Sequence, residues 1–204
     1  TPSNDVPWAN RDAAAAGWSL YAWLGTGNSL RMAALIADDL ARLSPPDAPR
    51  IAANLVTLEN RTRKLKAEYA ARLSQLVELR VLSLADEFIY LYAEFGIFVD
   101  GWFVQQDIDW RDADRVALTQ YLRERGIHVV VHKWQPDASI VKAIEDGGAR
   151  LVVLEAGNPG ILADATRGYD ALLRSNLDAL LSAFTAPVDS TETVPDRNAA
   201  NPSQ

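Results

Sequence analysis

Two histidines and no cysteine delimit the chemistry open to this 204-residue sequence. Without thiols there are no disulfides, thiolate metal sites, iron–sulfur clusters or cysteine nucleophiles, which leaves imidazole and carboxylate as metal ligands. His132 follows the apolar run Val129-Val130-Val131, and ligands in parallel α/β sheets collect at the carboxyl ends of strands. His128 lies four residues earlier, about 13 Å away along a strand at 3.3 Å per residue, too far to share one ion with His132. It reads as structural or exposed. Glu155 ends a second short run, Leu151–Leu154, beside the turn Gly157-Asn158-Pro159-Gly160, where its carboxylate either meets a divalent cation or faces water. Asp86 and Glu87 stand at the start of an amphipathic stretch, and helix capping is the commoner use of an Asp there. Tyr21 belongs to an aromatic patch with Trp18 and Trp23, for which packing is the commoner use.

Other patterns are less productive. Asp107, Asp109, Asp112 and Asp114 imitate a calcium loop, but the sixth and twelfth places hold Asp112 and Leu118 instead of Gly and Glu. A solvated loop with an Asp N-cap is the better account. No Gly-x-Gly-x-x-Gly, Gly-Lys-Ser/Thr loop or Gly-x-Ser-x-Gly elbow occurs, so no catalytic constellation is proposed. The net charge is −7, and residues 77–204 hold 20 Asp/Glu against 11 Lys/Arg, which argues against phosphate backbones as partners. No apolar run reaches the roughly 18 residues of a membrane span.

The elements that position these residues alternate. Residues 1–28 read as an irregular arm carrying the aromatic patch, and residues 29–76 as helical, broken at Ser44-Pro45-Pro46. The first helix is expected to start after Asn28 or Ser29 and to run to about Leu43. From Ile51 to Leu76 an apolar residue recurs every three or four positions, one helix face sustained over about 30 residues, or about 45 Å. Short strands at Val81–Leu84, Ile97–Val104, Val129–Val131 and Leu151–Leu154 then alternate with helices over 86–95, 112–125, 137–146 and 166–184. That pattern predicts an α/β fold: a parallel four-stranded sheet with flanking helices over 77–185, preceded by a long bridging helix. Residues 186–204 have the composition of a disordered tail.

Several strings, taken in order, resemble the zinc/manganese substrate-binding proteins of bacterial ABC importers. Tyr21-Ala22-Trp23-Leu24 is similar to that family's Asp-Pro-His-x-Trp-Leu-Asp-Pro segment. Leu84-Ala85-Asp86-Glu87-Phe88 through Tyr90-Leu91 and Gly96-Ile97 resembles its Ser-His-Asp-x-Phe-x-Tyr-Leu string. Val129–His132, Leu154-Glu155-Ala156-Gly157 and Tyr169–Leu180 match three later segments, so the resemblance covers residues 18–184. It implies the C-terminal lobe and bridging helix of such a protein, with the family's N-terminal lobe absent. The family's ligand positions fall on Tyr21, Ala85, His132 and Glu155, with Asp86 or Glu87 available to replace Ala85. The resemblance further implies an extracytoplasmic, non-enzymatic binding protein, its signal peptide removed, with Zn²⁺ or Mn²⁺ bound weakly or not at all. Its partner is an ABC permease or a second protein chain, a further copy of itself included. The alternative is an interaction module that has lost metal binding and docks through the long helix, exposed where the absent lobe would leave its apolar face uncovered.

Overall fold

In the computed structural model, residues 19–157 and 168–186 are described. The expected arm before residue 19, the start of the last predicted helix and the tail from 187 lie outside them. Two helices come first, α1 (Thr26–Leu43) and α2 (Ala48–Leu73). Then strands and helices alternate: β1 (Arg80–Ser83), α3 (Ile89–Phe95), β2 (Phe98–Trp102), α4 (Asp112–Arg125), β3 (Val129–His132), α5 (Ala138–Asp146), β4 (Arg150–Val153) and α6 (Tyr169–Thr185). All pairings are parallel, in the order β2-β1-β3-β4.

Alternation along the strands divides the interior into two layers. Val81, Val129, Val131 and Val152 pack with Leu65 and Tyr69 of α2, Leu91 and Tyr92 of α3, and Leu173 and Leu177 of α6. Leu82 and Val130 point the other way, onto Leu118 and Leu122 of α4 and Ile140 and Ile144 of α5. Gly96 and Gly126 end α3 and α4 at φ 68° and 61°, the left-handed geometry glycine adopts without a Cβ penalty.

Two helix starts differ from expectation, and a third helix begins where expected but with a different cap. α1 begins at Thr26, ahead of Asn28 and Ser29, because the Ser29 hydroxyl donates to Trp23 O (2.5 Å) instead of capping, and Thr26 Oγ1 donates to Glu94 (2.7 Å). Asp86 does not cap α3: the helix starts after a turn through residues 86–88, and its N-cap residue is Phe88. Asp112 opens α4 as its first residue, with Arg111 at the N-cap and the Asp114 carboxylate accepting the Arg111 N–H (2.9 Å).

The strand order reverses at β1. The chain steps outward to β2, then returns across β1 to place β3 on its other side. In open parallel sheets the crevice at such a reversal, beyond the carboxyl ends of the strands, is where ligands bind. Here that crevice lies beyond β1 and β3, at Leu84–Glu87 and His132–Trp134.

Candidate metal site

His132 is the last residue of β3 and only 1% exposed. Its Nδ1 accepts the Lys133 backbone N–H (2.8 Å), so the hydrogen of the neutral ring sits on Nε2, which faces Asp107 Oδ1 at 3.8 Å. Trp134 lies 4.6 Å from the imidazole, centroid to centroid. Burial lowers the ring's pKa to about 4; Asp107 opposes that shift and Lys133 adds to it. The imidazole is therefore neutral at physiological pH, as coordination requires. Coordination through Nε2 needs the other tautomer, with Nδ1 releasing the Lys133 N–H, because ligating histidines donate their second ring N–H.

Asp107 serves this corner and not a solvated loop alone. Its Oδ1 accepts the Trp134 indole N–H and its Oδ2 the Asp137 N–H, both at 3.2 Å. Across the crevice Asp86 is exposed, whereas Glu87 is buried, with Oε1 accepting from the Lys133 ammonium. Its second oxygen, Oε2, is buried without a hydrogen-bond partner among the described residues. Lys133 also stands over the Trp134 ring, 4.8 Å from its centroid. Beneath them the Ser83 hydroxyl bonds Ala85 O (2.7 Å) and lies 3.0 Å from the buried Tyr92 hydroxyl.

The other two predicted residues form a second corner. Glu155 is exposed, two residues past Val153, which pairs with His132 in the sheet. Its backbone is fixed on both sides by buried Asn176 of α6, whose Oδ1 accepts the Glu155 N–H and whose Nδ2 donates to its C=O, both at 2.8 Å. Tyr21 is half-buried, edge-on to Trp23 at 5.1 Å. The Trp23 indole N–H donates to Ala156 O (2.9 Å), which ties the Tyr21 turn to the Glu155 loop. The structure thus joins Tyr21 to Glu155 through Trp23, and His132 to Glu87 through Lys133. Among the described residues no three His, Asp or Glu side chains converge to hold an ion. His128 is at the far end of β3, exposed, with Nδ1 3.1 Å from Gly148 O.

The sequence profile of the zinc-uptake complex component A family, periplasmic, matches residues 11–183. The chain belongs to this family. Its members are metal-binding solute-binding proteins of ABC importers, and they are not enzymes. The zinc-binding protein AdcA of Streptococcus pyogenes is 24% identical over 185 residues, which covers 87% of this chain and 35% of that relative. The chain therefore spans about a third of the length of the curated relatives it matches. Among solved structures, the Zn(II)-bound ZnuA-like domain of Streptococcus pneumoniae AdcA aligns with a TM-score of 0.69 at 18% identity, over 80% of this chain and 63% of that one. FpvC of Pseudomonas aeruginosa in complex with Mn²⁺ aligns with a TM-score of 0.66 at 22% identity, over 80% and 60%. At these identities the structural likeness establishes the zinc-uptake fold and nothing finer.

Lys133 was not singled out in the sequence, and Asp107 was read only as part of a solvated acidic loop. Glu87 lies 46 positions from Lys133, and Trp134 and Asp137 lie 27 and 30 from Asp107, and the only local hint was a lysine directly after a strand of three valines and His132.

Proposed function

We propose that this chain supplies the C-terminal lobe and bridging helix of an extracytoplasmic metal-binding protein that delivers Zn²⁺ or Mn²⁺ to an ABC permease. In this reading residues 77–185 form the lobe and the helical segment of 29–76 leads into it. The observation that carries the proposal is the family match over 11–183, combined with a neutral histidine at the strand-order reversal. His132 would coordinate after its tautomer change, Glu155 would supply a hard oxygen, and Asp86 and Tyr21 would be outer contributors. With Ala85 at one of the family's ligand positions, fewer than four protein ligands are available, so affinity is weak until another lobe, on the same or a second chain, closes the crevice. Calorimetric titration of chelator-stripped protein with Zn²⁺ and Mn²⁺ tests this: His132→Ala should abolish the heat. Unchanged affinity in that variant removes His132 from the site.

A second reading, with α1 rather than the long helix as the docking element, is favoured by the exposure of α1. Of its 18 residues only Thr26 is buried, while Leu35 and Leu43 are 67% and 82% exposed. An amphipathic helix so uncovered is a docking face, and in this reading the lobe recruits another protein without carrying metal.

A further inference from the structure

Lys133 engages both sides of the crevice at once. Its backbone N–H occupies His132 Nδ1, which fixes the ring in the tautomer that cannot coordinate through Nε2. Its ammonium occupies Oε1 of Glu87, a carboxylate whose side chain is 4% exposed. Glu87 lies two residues past Ala85, and Lys133 directly follows His132, so the ion pair spans the ends of β1 and β3 where the strand order reverses. A buried carboxylate needs a cation or hydrogen-bond donors, and Glu87 Oε2 has no donor among the described residues. Beside the pair a cavity of about 530 Å³, lined by Leu84, Gln105, Asp109, Lys133 and Trp134, opens at the strand ends.

We infer that Glu87 is a cation ligand of this site and that the Lys133 ammonium is a tethered cation occupying it, so a divalent ion reaches Glu87 only by displacing that ammonium. The inference rests on the metal-binding reading above and adds its regulation. The displaced ammonium has room to turn into the cavity it lines, and no covalent chemistry is involved. Removing the ammonium while keeping the stem's bulk frees Glu87 and leaves the backbone N–H of residue 133 on His132 Nδ1 in place. Substitutions in the shell around ligands commonly change metal affinity by about 10–100-fold.

The test is calorimetric titration with Zn²⁺ of the wild type, Lys133→Met, Lys133→Met/Glu87→Gln and His132→Ala, each checked for folding by circular dichroism. Lys133→Met leaves Glu87 without its cation; should it not fold, Lys133→Gln, which keeps a neutral donor for Glu87, replaces it. The expected result is Zn²⁺ binding at least about tenfold tighter in Lys133→Met than in the wild type, with the gain lost on adding Glu87→Gln. Equal or weaker binding in Lys133→Met, or a gain that survives Glu87→Gln, overturns the inference. If the wild type binds, His132→Ala abolishes it and Lys133→Met changes nothing, the metal-binding reading stands and the lysine's role falls. If the wild type is silent and Lys133→Met binds, the lysine's role stands and the native chain is not a carrier. Silence in every folded variant overturns both.

Discussion

The buried imidazole of His132 couples the site to pH. Its pKa is about 4 in the folded lobe against about 6.5 in an unfolded chain, so between these values the unfolded state binds more protons. Stability is therefore fully present above about pH 6.5 and is lost as the pH falls towards 4. Thermal melts across that window should show a falling midpoint in the wild type and a flatter profile in His132→Gln, whose side chain does not titrate. Equal slopes would assign acid sensitivity to other groups. Asn176 makes a second prediction at this scale. It satisfies both backbone groups of Glu155, so Asn176→Leu leaves that part-buried N–H and C=O without their partner. The expected cost is about 2–3 kcal/mol in chemical denaturation, with weaker metal binding if Glu155 is a ligand. The role of Asn176 is not written in local sequence, because an Asn inside a helix looks like any polar residue until the opposite loop is in place.

Between elements, the seam of α2 and α6 separates packing from charge. Arg174 pairs with Glu68 and Arg72 with Asp178, both at 3.2 Å and largely exposed, whereas Leu65 is sealed among Leu-rich neighbours. Arg174→Ala should lose less than about 1 kcal/mol and Leu65→Ala about 2–5 kcal/mol, measured in the same urea series. A reversed ranking would make the seam electrostatic. Elements of this kind were the most legible part of the chain. Apolar residues at three- and four-residue steps marked α2, and Gly96 and Gly126 marked where α3 and α4 stop, since left-handed backbone is a local property of glycine. Starts were less legible. The side chains expected to cap α1 and α3 were drawn elsewhere or left exposed: Ser29 turned to Trp23, and Asp86 stayed in the turn. The lysine between the two strand ends was invisible for the same reason, because its partner Glu87 lies 46 positions away.

The molecule as a whole leaves one helix almost without a core. Leu35, Ile36, Leu40 and Leu43 form an exposed apolar row on α1, next to a groove of about 210 Å³ lined by Trp23, Leu30, Met32, Ile36 and Tyr169. Leu35→Asp with Leu43→Asp should suppress concentration-dependent association in sedimentation while leaving the melting point within a few degrees, since neither residue is buried. A wild type that is monomeric at every concentration would show that this face does not recruit copies of itself. The parallel sheet could be read from alternation, but the bareness of α1 could not: an amphipathic pattern says that a face is to be covered, not what covers it. The Trp23 indole bond to Ala156 has a further use. It joins positions 133 apart, and the Tyr169 hydroxyl fastens the same turn by donating to Trp23 O (2.9 Å). That indole proton is shielded from solvent exchange only while β4, α6 and the first turn are all docked. Its resonance is thus a one-atom gauge of whether the first turn, the loop after β4 and α6 are docked together, readable in any variant before a ligand is added.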